Sequence, residues 1–203
     1  KSVNKSLRNL KIRNLYGMLI HDTSYLIGKQ GQFLYKGLLK SKKLGLVKKI
    51  GISIYNINEL EFIIPKYKID IVSAPFNILD QRLKTSGWLN KLKKLKIEIH
   101  TRSAFLQGLL LMSRFNRPKK FDRWNKIFNL WDKKIDLMKL SPLEACLGFV
   151  LSNKKIDKIV LGVDNLSQFV DIINLAKPNK FSMNTLVSNN ESMLINPSKW
   201  KML

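Results

Sequence analysis

The sequence predicts a parallel α/β fold whose strands line a barrel, and three observations carry that expectation. Short β-like runs alternate strictly with helix-like segments across the 203 residues, and parallel strands joined by helical crossovers are what such alternation requires. Polar candidates for function, beginning with His21, collect at the ends of those runs, where parallel α/β folds place their ligand sites. Glu98, His100 and Arg102 share one face of a single run by the two-residue period of a strand. An open doubly wound sheet is coated by helices on both sides and has little room for such a face; the interior of a barrel accommodates it.

Along the chain the first helix-like segment is SLRNLKI (6–12), followed by the strand LYGMLI (15–20), which stops at His21 and Asp22. FLYKGLLKSKKLGLV (33–47) carries apolar residues at helical spacing, then KIGISI (49–54) reads as the second strand. NINELEFIIPKY (56–67) is a helix with Asn58 before Glu61 at its start. IDIVSA (69–74) is the third strand, WLNKLKKLK (88–96) a helix, and IEIHTR (97–102) the fourth strand. FDRWNKIFNLWDKKIDLM (121–138) and SPLEACLGFVLSN (141–153) are helices, the second opened by Ser141, Pro142 and Glu144. KIVLGV (158–163) is the fifth strand and DNLSQFVDIINLA (164–176) the helix after it. No short repeat or low-complexity tract interrupts the alternation, and residues 1–203 are expected to form one domain.

Bulk properties narrow the function. At 45% hydrophobic the chain can bury a core. Its formal charge of +23 invites a nucleic-acid reading. Only seven of the basic residues are arginine, however, and the lysines are scattered through most segments, so the expectation is a solvated lysine-rich surface and no nucleic-acid partner. The single cysteine, Cys146, lies in an apolar stretch without a partner for a disulfide or metal site; a core thiol in a reducing, cytoplasmic setting is expected. No apolar run approaches the ~18 residues of a membrane span, and no signal-peptide core opens the chain. The chain does not begin with Met, and it reads as an internal piece of a longer protein.

Five stretches, in order, resemble the aldo-keto reductases, barrel enzymes that hold NADPH or NADH without a glycine-rich dinucleotide loop. LIHD (19–22) is similar to the family's strand-four histidine motif, and KKIGIS with Tyr55 to its Gly-Val-Ser-Asn-Phe segment. IDIVSAPFNILDQR (69–82) resembles its Gln-x-Pro-Tyr-Asn segment and RSAFLQGLL (102–110) its Tyr-Ser-Pro-Leu-x-x-Gly segment; INPSKW (195–200) resembles the tail of a bacterial branch. The resemblance implies a (β/α)8 barrel of TIM type, here incomplete, with about five parallel strands corresponding to the family's fourth to eighth. It implies an NADPH- or NADH-dependent oxidoreductase that reduces a small-molecule carbonyl: an aldehyde, ketone or sugar-like substrate.

His21 matches the histidine that orients and polarises the substrate carbonyl. Ser53 matches the serine that bonds the nicotinamide carboxamide, although the adjacent family asparagine is here Ile54. Ser73 stands where the family has glutamine, Asn77 follows in the same motif, and Arg102 replaces the tyrosine that stacks on the nicotinamide ring. Gln168 is the polar contact implied for the adenosine end, where Asp164 would repel a 2′-phosphate and tilts the reading toward NADH. The family's catalytic aspartate, tyrosine and lysine belong to strands upstream of the one that ends at His21, and nothing at this N-terminus matches them. The alternative is therefore a catalytically inactive homologue that binds a nucleotide or a partner. The connection Leu109–Lys120, ending in RFNRPKK, is the expected specificity loop.

Overall fold

The computed structural model describes residues 2–176 and 191–203. The elements follow in order: α1 (Ser2–Leu10), β1 (Leu15–Ile20), α2 (Ser24–Ile27), α3 (Gly31–Lys43), β2 (Val47–Ser53), α4 (Asn58–Ile63) and β3 (Ile71–Pro75). Then come α5 (Arg82–Thr85), α6 (Trp88–Lys94), β4 (Glu98–Arg102), α7 (Asn125–Met138), α8 (Pro142–Leu151), β5 (Lys158–Ile159), α9 (Leu166–Leu175) and α10 (Ser192–Ile195). Short 3-10 turns occupy Leu109–Leu111, Lys119–Trp124 and Pro197–Met202. The strands form one five-stranded sheet in the order β1-β2-β3-β4-β5, and the β1–β2 and β2–β3 pairs are parallel. Among the described residues no helix is long and apolar enough to cross a membrane.

The chain divides into two compact units, Lys1–Ala74 with Gly87–His100, and Pro75–Ser86 with Thr101–Leu203. In the first unit Ile50 and Ile52 on one face of β2, and Ile54 just past its end, are 0–1% exposed, and Leu60 and Ile63 of α4 are equally buried. The opposite face carries the register partners Gly17↔Lys49, Gly51↔Ile71 and Ser53↔Ser73. Gly51 is required there, because a Cβ at that position would run into the main chain of Ile71.

Curvature within this unit follows from one hydrogen bond. The Tyr16 hydroxyl of β1 donates to Glu98 at the start of β4, at 2.7 and 2.9 Å to the two carboxylate oxygens. Neighbouring strands lie about 4.8 Å apart, so three spacings of a flat sheet would separate β1 from β4 by about 14 Å. Side chains standing parallel on a flat sheet do not converge over that distance. The sheet curls, as the wall of a barrel does.

In the second unit Phe76, at the end of β3, stacks on Phe149 of α8 with ring centroids 5.2 Å apart. Trp131 of α7 is fully buried and donates its indole N–H to the Leu110 carbonyl at 3.2 Å, so this large apolar side chain leaves no unpaired donor. Ser141 and Glu144 form the expected capping box of α8, with Pro142 in its first turn.

Several boundaries depart from expectation. β5 is two residues, Lys158–Ile159, not six, and just past it the Val160 N–H bonds the Thr101 carbonyl at 2.7 Å; among the described residues β4 is its one strand neighbour. α3 ends at Lys43 because Gly45 turns left-handed at φ +72. The expected helix 121–138 begins as a 3-10 turn and becomes α-helical only from Asn125. α4 is capped two residues earlier than Asn58 and Glu61 suggested: Asn56 Oδ1 accepts the Asn58 N–H at 3.1 Å, and Glu59 accepts the Asn56 N–H at 2.5 Å.

Candidate active site

β2 ends at Ser53, which faces Ser73 within β3, and His21 follows the last residue of β1. Leu19 pairs with Gly51 and Ser53 with Ser73 in register; His21 is two residues beyond Leu19 and so continues that face by the strand period. The three side chains stand in a row at the C-terminal ends of adjacent parallel strands, His21 exposed and both serines half-buried. This is the strand end at which parallel barrels build their sites. The apolar run LYGMLI ends, as a strand, at Ile20, directly before His21 and Asp22.

Tyr55, in the turn after β2, stands against His21. Its hydroxyl is 3.4 Å from His21 Nε2, and the rings meet edge to face with centroids 5.9 Å apart. The turn after β1 is closed by Asp22, whose Oδ1 accepts the Ser24 N–H at 2.9 Å. The Ser24 hydroxyl and N–H pull the Asp22 carboxyl below its ordinary pKa, with a smaller contribution from His21.

A second polar group occupies the same unit nearer the N-terminal strand ends. Glu98 accepts from Tyr16 and Lys49 and lies 3.2 Å from His100 Nε2, while Lys49 also reaches the Tyr16 hydroxyl at 3.2 Å. Burial acts to raise the Glu98 pKa, but the hydrogen bonds from Lys49, Tyr16 and His100 outweigh it and bring it down to about 2. Lys49 is raised, chiefly by its hydrogen bond to Glu98. A mutually paired group of this kind at the strand beginnings reads as stability rather than catalysis. It is also the polar face formed by Glu98 and His100 that pointed to a barrel.

The remaining expected residues lie in the second unit. Arg102 closes β4, half-buried, and its carbonyl accepts the Phe76 N–H at 3.0 Å. Asn77 is 0% exposed, and its amide is spent on the backbone: Oδ1 accepts from Leu79 and Asp80 at 2.9 and 2.8 Å, and Nδ2 donates to the Ser103 carbonyl at 2.9 Å. In this arrangement Asn77 braces the turn after β3, which removes it from the side chains open to a cofactor. Gln168 completes the α9 entry, accepting the Asp164 N–H at 2.8 Å while its own N–H donates to Asn165; the donor it retains for a ligand is Nε2. In the expected specificity loop the Arg117 guanidinium bonds both oxygens of Asp132, at 2.8 and 2.5 Å, and packs over Phe128.

Sequence reasoning missed two features. Ser103, Leu106 and Gln107, just past β4, are left-handed at φ 61, 48 and 54, a strained arrangement of non-glycine residues of the sort found around functional sites; no residue type there signals it. Glu59 and Thr23 bond at 2.5 Å across the two turns that carry Tyr55 and His21. Only the Asn-x-x-Glu pattern of 56–59 hinted at Glu59. Among the described residues no three His, Cys, Asp or Glu side chains are grouped to hold a metal ion.

The curled parallel sheet with its polar strand ends has counterparts of known structure. The aldo-keto reductase AKR11C1 from Bacillus halodurans, in its apo form, aligns with a TM-score of 0.72 at 16% identity, covering 91% of this chain and 64% of that protein. The glycerol dehydrogenase AKR11B4 from Gluconobacter oxydans aligns with a TM-score of 0.59 at 17% identity, covering 89% of this chain and 65% of that one. The chain thus spans less than two thirds of the length of these neighbours, whose fold is the (β/α)8 barrel; the five parallel strands here make an incomplete barrel of that kind. No curated protein matches the chain in sequence. The sequence model of the Aldo/keto reductase family matches residues 1–186, and the chain belongs to that family.

Proposed function

We propose that the chain supplies the carbonyl-polarising part and part of the nicotinamide-binding part of an NAD(P)H-dependent oxidoreductase acting on an aldehyde, ketone or sugar-like carbonyl. The observation that carries this reading is the register pairing of Ser53 with Ser73, with His21 following β1 next to Ser53 by continuation of the β1–β2 register. A row of one imidazole and two hydroxyls offers hydrogen-bonding groups on a rigid wall, which suits a carbonyl oxygen and a carboxamide. A bound reduced nicotinamide would supply the hydride. His21 would donate a ring N–H to the carbonyl oxygen as charge develops there, and the strand end would hold that donor in place.

The Ser53 and Ser73 hydroxyls would bind the nicotinamide carboxamide, Ser73 through a water where its side chain is too short. In the second unit Arg102 is proposed for the ring or a phosphate, and Gln168 for the adenosine end. NADH is favoured over NADPH because Asp164 lies beside the Gln168 amide and would repel a 2′-phosphate. The Gluconobacter neighbour is named as a glycerol dehydrogenase, which supports a small polyol or its carbonyl partner among the substrates. We place the protein in a reducing, cytoplasmic compartment, since Cys146 is a free buried thiol.

The reading is tested by titrating the full-length protein with NADH and NADPH, following nicotinamide fluorescence. Ser53→Val with Ser73→Val should weaken binding about 10-fold or more, at roughly 1 kcal/mol per hydrogen bond removed. Unchanged binding in the double variant would take both serines out of the cofactor site.

A further inference from the structure

His21 has little of its own to hold it. The residue is exposed, lies just past the last residue of β1, and its ring meets Tyr55 at a distance that is long for a hydrogen bond. Its position is set by the two turns on which the rings are mounted. Those turns are joined by one carboxylate. Glu59 Oε1 accepts the backbone N–H groups of Asn56 and Tyr55, at 2.5 and 3.1 Å, and Glu59 Oε2 accepts the Thr23 hydroxyl at 2.5 Å.

The first two bonds are what a helix entry needs. The third is not, since Thr23 belongs to the turn after β1 and lies 36 residues away in the chain. Thr23 is 6% exposed, so its bond to an ionised acceptor is sheltered and correspondingly strong. His21 stands two residues before Thr23, and Tyr55 four before Glu59, with the Tyr55 N–H itself held by the carboxylate. A shift of either turn would change the separation of imidazole and phenol directly.

We propose that Glu59 is a positioning residue for His21: by bonding Thr23 and the Tyr55 N–H at once, its carboxylate fixes the imidazole against the Tyr55 hydroxyl. The partner of one ring nitrogen sets which nitrogen carries the proton, so this frame decides which nitrogen faces the carbonyl. The inference rests on the assignment of His21 to the substrate carbonyl.

The test compares Thr23→Val with Asn56→Ala in the full-length protein. Thr23→Val removes the bond between the turns and leaves both capping bonds to Glu59. Asn56→Ala removes the Asn56 Oδ1 cap on Asn58 and leaves the bond between the turns. The 15N shifts of the two His21 ring nitrogens should move toward the averaged values of a free histidine in Thr23→Val and stay in place in Asn56→Ala. In carbonyl reduction Thr23→Val should lose about 10- to 100-fold in kcat, the scale of a displaced catalytic group, with the KM for the dinucleotide unchanged. Asn56→Ala should match the parent.

His21→Ala is measured alongside. If its kcat equals that of the parent, the carbonyl assignment is wrong and the ring shifts alone judge the frame. If His21→Ala is impaired while Thr23→Val and Asn56→Ala behave alike in ring shifts or in kcat, the positioning role of Glu59 is overturned and the assignment of His21 stands.

Discussion

Replacing Glu98 with glutamine removes one charge from the curled face of β1, β2 and β4 at nearly constant volume. The Glu98 pKa is about 2 in the folded protein against an ordinary 4.5, burial acting to raise it and the bonds from Lys49, Tyr16 and His100 lowering it further. A difference of that size corresponds to at most about 3 kcal/mol of folding stability. Glu98 is 23% exposed and Lys49 33%, and solvent screening reduces the expected figure to about 1–2 kcal/mol. The raised Lys49 reports the same interaction and is not added to it.

Because the folded pKa lies below the unfolded one, the contribution is complete above about pH 4.5 and is lost as pH falls toward 2. The assay is urea unfolding of the full-length protein and its Glu98→Gln variant at pH 7 and pH 3. The variant should be less stable by about 1–2 kcal/mol at pH 7, with a melting temperature lower by roughly 2–8 °C. The gap should shrink to about half or less at pH 3. A gap that is absent at pH 7, or that is the same at both pH values, refutes the electrostatic account of this cluster.

Two further outcomes are expected. Leu166, Phe169, Val170 and Ile173 of α9 recur at three- and four-residue spacing and are 45–75% exposed, while Ile172 turns inward; this stripe should make the 203-residue chain self-associate when produced alone. Phe169→Lys with Ile173→Lys should then raise the concentration at which light scattering begins, and no change would clear the stripe of that role. Cys146 is fully buried in α8, and burial pushes its thiol pKa up. It should therefore resist a disulfide reagent such as Ellman's until the protein unfolds, and rapid reaction of the native protein would contradict the described packing.

The sequence disclosed those parts of the fold that depend on local pattern. β1, β2, β3 and β4 lie within two residues of their expected starts, because each is a short run with apolar residues at strand spacing between helical segments. Ser141–Glu144 was legible for the same reason: a capping box is a four-residue interaction. β5 was misjudged because KIVLGV has the composition of a strand, whereas the length of its ladder depends on neighbours that composition does not reveal. The Tyr16–Glu98 bond spans 82 residues and exists only because the sheet curls, so neither residue could be paired from sequence.

Among the candidate site residues, His21 is visible in the sequence because it breaks an apolar run, and Ser53 and Ser73 because they are polar positions in apolar strands. Asn77 was visible as a polar residue after a strand, but its buried amide turned out to serve the backbone. Glu59 was hidden because its bond to Thr23 joins two turns whose proximity is a property of the packed strands.

The most direct test of the carbonyl assignment is the single-turnover rate of carbonyl reduction by the full-length protein and its His21→Ala variant, with dinucleotide affinity measured on the same samples. Removing one polarising donor should slow kcat by about 10²- to 10³-fold and leave the dinucleotide affinity within about two-fold, since His21 is assigned to the carbonyl and the serines to the cofactor. A variant that reduces its substrate at the parent rate would return His21 to an ordinary strand-end histidine and contradict the assignment.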